Sequence, residues 1–407
     1  MMKKPTTADQ VRVRRKNRSL ILDCLRVNNT LSRAGLAAET GLNPSTVSNI
    51  VTELLQEGLV RETELLPSIN GRPGRLLELN PSGGCAIGIE INVDYITVIL
   101  TDFRANILWR SRVPSNPDEP QQVILENARR LIEQGLAVEQ AEGLRPLGIG
   151  VGLPGLVDLH TGQLKLAPNL NWRDVPIRQI FADQFSLPVY VENEANAAAL
   201  GEYYFGVARG IENTIYLSAG IGLGAGILIG GKLFRGSQGY ASEVGHMTVQ
   251  PEGELCGCGK RGCWETLVGP RAVVRRVQKT LQAGAQTMMS TLVGGDYQQV
   301  TFDIVVQAAV ARDPAALLAL DEVGRYLGLG MANLINIFNP ELIVLGGALN
   351  LASPFLLPAI EQTICEDALR PSRENVRVVP SAHGTDACVM GAVGLVLDDI
   401  LRERVFN

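Results

Sequence analysis

The sequence predicts an α/β chain in two parts, a small helical head closed by a hairpin and a larger body of two α/β lobes. Three observations predict it. Three short helical patterns near the N-terminus run into a strand pair with a Gly/Pro tip. Farther on, one strand-turn-strand outline occurs twice. The charge changes sign between the parts: residues 1–80 hold 12 Lys/Arg against 8 Asp/Glu, a net of +4, and the remainder 25 against 34, a net of −9.

The chain has 407 residues, enough for two or three units that each bury a core. A hydrophobic content of 46% with 19% charged residues is that of a soluble globular protein, so disorder is not the expectation. No segment reaches the roughly 18 to 20 uninterrupted apolar residues of a membrane span. The polar, basic start lacks a signal-peptide core, so the expected location is cytoplasmic, with no membrane partner. In that compartment the 7 cysteines are not a disulfide framework, and any cluster among them is read as a metal site. A basic head on an acidic body implies that only the head approaches a polyanion.

In the head, helical patterns cover Ser19–Val27, Ser32–Thr40 and Pro44–Glu57. Ser32 is placed to cap the second, Gly41 follows its last turn, and Asn43-Pro44 supplies a cap and a first-position proline for the third. On the third helix Val47, Ile50, Val51, Leu54 and Leu55 share a face, which turns Ser45, Thr46, Ser48, Asn49 and Thr52 outward. Small hydroxyl and amide side chains on such a helix can read base edges in a major groove. A helical bundle with a solvated Ser/Asn face fits the same spacing. The hairpin that follows favours DNA: a strand from Gly58-Leu59-Val60, a turn over Pro67–Gly74 and a strand Arg75–Leu79 read as a wing. Arg72 and Arg75 sit on its glycine-flanked tip, suited to an A·T-rich minor groove. Arg12, Arg14, Arg15, Lys16 and Arg18 add positive charge where phosphate contacts are expected. The expected partner is double-stranded operator DNA.

The body opens near Asn80-Pro81 with strands Cys85–Ile91 and Tyr95–Thr101 around a turn at Asn92-Val93-Asp94. The outline returns as Asn213–Ser218, a glycine turn, Leu223–Ile229 and Lys232-Leu233-Phe234. Two copies predict two α/β lobes around a cleft. The spacing Gly220-x-Gly222-x-Gly224-x-Gly226 is not a dinucleotide fingerprint, because a strand and not a helix follows it. It is either a tight hairpin or a turn whose amides face a phosphate or sugar. Helices at Asp321–Ile337 and Thr385–Leu401 are apolar enough to pack the lobes or a partner subunit.

The sharpest local signal is Glu243-Val244-Gly245-His246 followed by Cys256, Cys258, Cys263 and Glu265. One of only 3 histidines and three cysteines fall within 18 residues. Three thiolates and an imidazole satisfy tetrahedral zinc, and a fully protein-ligated zinc is structural. The alternative is a run of ordinary loop residues with reactive cysteines.

These motifs together resemble the ROK family, whose name joins repressors and sugar kinases, over nearly the whole chain. The Glu-x-Gly-His element followed by Cys-x-Cys-Gly-x-x-Gly-Cys-x-Glu carries the resemblance. It implies a winged helix-turn-helix followed by a two-lobed, actin-like and ribonuclease-H-like sugar-kinase fold. The implied domains are 1–80 for DNA, 81–195 for the first lobe completed by the C-terminal helix 386–407, and 196–385 for the second lobe. It implies that His246, Cys256, Cys258 and Cys263 hold the zinc, and that Glu243, His246 and Glu265 contact sugar hydroxyls.

In Val191-Glu192-Asn193-Glu194 the resemblance places Asn193 on the sugar and Glu194 at the kinase base position, where kinases carry Asp. Asn169 resembles a further sugar-pocket residue. Where kinases carry Asp-x-Gly-Gly-Thr for the ATP phosphates, this chain has Glu90-Ile91-Asn92-Val93-Asp94, so poor ATP binding is expected. Gly220 and Gly346-Gly347-Ala348 resemble the remaining nucleotide elements. A DNA-binding head with an altered phosphate turn resembles the repressor branch and its xylose-repressor-type members. The expectation is a sugar-responsive repressor, a degenerate kinase with no catalytic residue, acting as a homodimer or homotetramer. An active ATP-dependent sugar kinase is the alternative.

Overall fold

The computed structural model of the chain describes residues 7–65 and 75–402. It forms two compact units, the first running to Asn193 and resuming at Val389, the second spanning Glu194–Cys388.

The head belongs to the first unit. It holds α1 (Thr7–Asn28), β1 (Leu31–Ser32), α2 (Arg33–Thr40), α3 (Pro44–Gln56), β2 (Val60–Leu65) and β3 (Arg75–Leu79). The helices close on Ile21, Leu22, Leu25, Leu36, Val47, Ile50, Val51 and Leu54, all buried. The capping expected at Ser32, Gly41 and Asn43-Pro44 is present: Ser32 Oγ accepts from Gly35 N at 3.1 Å, and Gly41 takes φ +67°. The wing strands β2 and β3 pair antiparallel, and β1 adds to the free side of β3. One element is longer than its apolar pattern. The first helix extends about three turns ahead of Ser19, through the basic run, because Arg14 and Arg18 find Glu53 and Glu57 on α3 as partners.

The rest of the first unit is built on β4 (Cys85–Ile91), β5 (Tyr95–Asp102), β6 (Ile107–Pro114), α4 (Gln121–Glu142), β7 (Pro146–Leu153), a small sheet of β8 (Leu156–Asp158), β9 (Gln163–Ala167) and β10 (Trp172–Val175), then α5 (Ile177–Phe185) and β11 (Val189–Asn193). The main sheet has the order β11-β7-β4-β5-β6. The first three strands are antiparallel neighbours, and β7 and β11 run parallel to β4.

The second unit repeats this plan. It contains α6 (Glu194–Phe205), β12 (Thr214–Ala219), β13 (Leu223–Ile229), β14 (Lys232–Leu233), α7 (Trp264–Leu267), α8 (Pro270–Gln282), α9 (Met288–Leu292), α10 (Phe302–Val310), α11 (Pro314–Phe338), β15 (Leu342–Gly347), α12 (Ser353–Asp367), α13 (Arg370–Arg373) and β16 (Arg377–Pro380). Its sheet order, β14-β13-β12-β15-β16, matches the first strand for strand. Each sheet is therefore a three-strand antiparallel meander continued by two parallel strands, the ribonuclease-H-like plan.

The last helix, α14 (Ala387–Arg402), lies on the first sheet so closely that only glycine fits beneath it. A Cβ on Gly150 would stand 1.8 Å from Ala392 O, and one on Gly88 2.4 Å from Val389 O. In the second unit the glycine run forms a β-hairpin turn, with Ala219 opposite Leu223 and Gly220 N bonded to Gly222 O. A Cβ on Gly226 would meet Ala195 O and Ala199 Cβ at 2.5 Å, so this glycine lets α6 approach β13. Among the described residues no helix is long and apolar enough to cross a membrane.

Candidate functional site

In the head, α3 buries the apolar side read from the sequence, except that Leu55 is only half-buried. Ser45, Ser48, Asn49 and Thr52 are exposed, and Thr46 is half-buried. Two hydroxyls are already engaged. Ser45 Oγ donates to Asn43 Oδ1 at 2.9 Å, and Thr52 Oγ1 donates to the Ser48 carbonyl at 2.8 Å. Asn49 and Ser48 thus offer the least committed donors on this face.

Of the wing arginines, Arg72 lies outside the described residues. Arg75 stands at the base of the wing, paired with Glu62 at 2.6 Å, and Glu62 also takes Arg33 from α2 at 3.0 Å. These two guanidiniums hold the Glu62 carboxyl below its ordinary range, Arg33 contributing most. Arg33 was not legible as part of this group, because its partner lies 29 positions away on a different element.

The cysteine-rich segment of the second unit folds into a knuckle against α7. Cys256 N donates to Lys260 O at 2.8 Å, and isolated bridges tie Leu255 to Arg261 and Thr248 to Cys263. Gly262 takes φ +69°, and a Cβ there would stand 1.6 Å from Gln250 O, so the turn requires glycine. Trp264, fully buried, anchors the knuckle by donating Nε1 to Tyr326 O at 2.8 Å.

His246, Cys256, Cys258 and Cys263 are the group that could hold a metal among the described residues, with ligand atoms all within 4.8 Å of one another. Cys258 and Cys263 Sγ are 3.6 Å apart, and Cys256 Sγ is 3.7 Å from His246 Nδ1. Tetrahedral zinc with bonds of about 2.3 Å to sulfur and about 2.0 Å to nitrogen needs edges of roughly 3.5–3.8 Å. The donor set fits, and so do these two edges. The Cys258 thiol is held below its ordinary value, first by the Lys260 N–H, whereas burial raises the Cys256 and Cys263 thiols.

Two carboxylates stand beside this group. Glu265 Oε1 is 2.8 Å from Cys256 Sγ and 3.4 Å from His246 Nδ1, and the open face of Gly222 lies against its Oε2. Glu243 begins the one-turn 3-10 segment that carries His246. Loss of hydration raises its carboxyl, Glu265 adds to the rise, and His246 opposes it. Glu194 opens α6 in the same unit, half-buried. The remaining sugar candidates belong to the first unit. Asn193 ends β11 with Nδ2 donated to Gly155 O at 3.0 Å, and Asn169 is exposed on the Pro168–Leu170 turn.

The turn after β4 is filled by side chains. Asn92 Oδ1 accepts the Val93 N–H at 2.7 Å, and Asn92 Nδ2 donates to Glu90 Oε1 at 2.9 Å. Tyr95 Oη donates to the same Glu90 oxygen at 2.8 Å, and the Arg112 guanidinium covers the Tyr95 ring at 4.0 Å. The Val93 amide is thus taken up by the chain's own Asn92 side chain.

A winged helix-turn-helix followed by a duplicated ribonuclease-H-like body defines the class, a DNA-binding head on a sugar-kinase-type scaffold. The chain belongs to the ROK family, whose model matches residues 86–399, and residues 14–61 match a winged helix-turn-helix DNA-binding model. It is similar to a putative xylose repressor from Caldicellulosiruptor sp. (strain Rt8B.4), 36% identical over 96% of this chain and 97% of that protein. Among solved structures it is similar to a ROK family transcriptional regulator, a homologue of the E. coli MLC protein, with TM-score 0.81 and 30% identity over 96% of this chain and 98% of the other. It is also similar to a ROK family glucokinase from Streptomyces griseus in complex with glucose and AMPPNP, with TM-score 0.70 and 32% identity over 77% of this chain and 99% of the other.

Proposed function

We propose that this chain is a sugar-responsive transcriptional repressor that binds operator DNA through residues 1–80 and senses a sugar, xylose, glucose or a related one, through the body. The observation that carries this reading is the Asn92 side chain seated on the Val93 amide in a chain that also bears a DNA-binding head. A scaffold shared with kinases keeps sugar-binding residue types while one of its phosphate turns is closed. Similarity to proteins named xylose repressor and N-acetylglucosamine repressor supports the reading.

In this reading Ser45, Thr46, Ser48, Asn49 and Thr52 read bases, and Arg72 and Arg75 follow the minor groove or its phosphates. Asn169, Asn193, Glu194, Glu243, His246 and Glu265 bind sugar hydroxyls. The zinc is structural and fixes the knuckle. An imidazole that ligates through Nδ1 carries its proton on Nε2, so His246 then donates, while Glu243 and Glu265 accept. Glu194 keeps a carboxylate at the base position but one methylene farther out, and phosphoryl transfer depends on positioning. Two copies in a homodimer or homotetramer present two heads to a palindromic operator, whose half-site spacing is sensitive to their orientation.

Fluorescence anisotropy with a fragment from upstream of the gene, titrated with and without a panel of sugars and without ATP, tests the proposal. The expected result is DNA binding that one sugar shifts by about tenfold. Absence of DNA binding at moderate salt refutes the reading of the head, and binding that no sugar alters refutes the sensor.

A further inference from the structure

The head is joined to the first sheet by a very short connection, Asn80–Gly84, between β3 and β4. That connection is bonded at both sides. Asn80 N donates to Leu59 O at 2.9 Å and Asn80 Nδ2 to Gly58 O at 2.7 Å, directly after the C-terminal end of α3. On the other side, Phe103 N donates to Pro81 O at 3.2 Å. Phe103 is itself buried, with its ring against Gly83.

Phe103 belongs to the turn between β5 and β6, and this turn is unusually well determined. The buried Asp102 carboxylate accepts from Arg104 N at 2.8 Å, Asn106 N at 2.9 Å and Asn106 Nδ2 at 2.8 Å, while Ala105 takes φ +64°. A turn fixed in this way holds its outward side chains in one attitude. One of them, Arg104, reaches Glu78 on the wing strand β3, Nη1 to Oε2 at 3.1 Å. Glu78 is 9% exposed and shares its other oxygen with Arg61, its cross-strand neighbour on β2, at 2.7 Å.

We propose that Arg104 is a positioning residue for the sugar response of operator binding, holding the wing, and with it α3, in a fixed attitude to the first sheet by way of Glu78. The inference rests on the repressor reading above. Glu78 needs a cation because its carboxylate is nearly out of water, and Arg61 supplies one from within the head. The second cation comes from the body, so Arg104 contributes attachment rather than the stability of the wing itself. The strand that leads into the Arg104 turn, β5, lies in the same sheet as β11, which ends at the sugar candidate Asn193. A displacement of that sheet on sugar binding then reaches α3 without passing through a flexible linker.

The test uses the full-length protein, its upstream DNA fragment and the sugar that moves the wild-type affinity. Arg104→Met is expected to bind that sugar and, without sugar, the DNA within about threefold of wild type, while the sugar-induced shift shrinks from about tenfold to under about twofold. Arg104→Lys, which keeps the charge, is expected to retain most of the shift. A wild-type shift in Arg104→Met overturns the proposal. So does loss of DNA binding together with a lowered unfolding transition in both variants, which marks the contact as a structural clasp only. If wild type itself answers to no sugar, the repressor reading fails first and this inference falls with it.

Discussion

Arg18 grips Glu57 from 39 positions away, Nη1 to Oε1 at 2.6 Å, and Arg14 takes Glu53 in the same manner one turn along both helices. The matched four-residue spacings zip α1 to α3, so part of the basic run also holds the last turn of α3.

This pairing has a sign in pH. Arg18 holds the Glu57 carboxyl below its usual range, so the stabilisation is present above the unfolded value of about 4.3 and is lost as pH falls through the folded one. Because Glu57 is 44% exposed, Arg18→Met should destabilise the protein by only about 0.5–1 kcal/mol near neutral pH. Denaturant melts should show the gap closing below about pH 4. A gap that persists in acid would mean that packing, not charge, is lost.

Asn49→Ala should weaken binding to the upstream DNA by about tenfold, with little effect on unrelated DNA. Thr52→Val should cost less than about threefold, since the Thr52 proton is already given to Ser48 O. Equal losses on specific and unrelated DNA would move α3 from base reading to backbone contact.

Purified protein should carry about one zinc per chain, measured by atomic absorption. Chelation, or Cys263→Ser, should lower the unfolding midpoint by about 5 °C or more, because a bound metal would tie His246 to the cysteine turn that Trp264 anchors in the core. Metal-free protein that melts unchanged would falsify the structural-zinc proposal.

A coupled assay should find no sugar-dependent ADP formation above background, and Glu194→Gln should leave that background unchanged. Turnover that Glu194→Gln abolishes would establish the kinase alternative and show that the Asn92 turn opens to nucleotide.

How much was readable in advance depended on the range of the interaction. Caps at Ser32 and Asn43, the apolar side of α3, the strands Cys85–Ile91 and Leu223–Ile229, and the His246–Cys263 group are set by neighbours along the chain, and they appear where the sequence puts them. The full reach of α1, the Glu62 group joining Arg33 to Arg75, and the Glu78 link between Arg61 and Arg104 are charge pairs across many residues. Any of several partners satisfies such a charge on paper.

The sequence by itself determined the head, the duplicated strand outline and the His/Cys cluster of the knuckle, since each rests on periodicity or on side chains clustered within one loop. Only the tertiary structure decided that Asn92 closes its own turn, that Gly88 and Gly150 exist to admit α14, and that the head is bolted to the first sheet at Phe103 and Arg104. Those outcomes depend on which backbones approach within van der Waals distance, and chain folding sets that distance where local pattern does not.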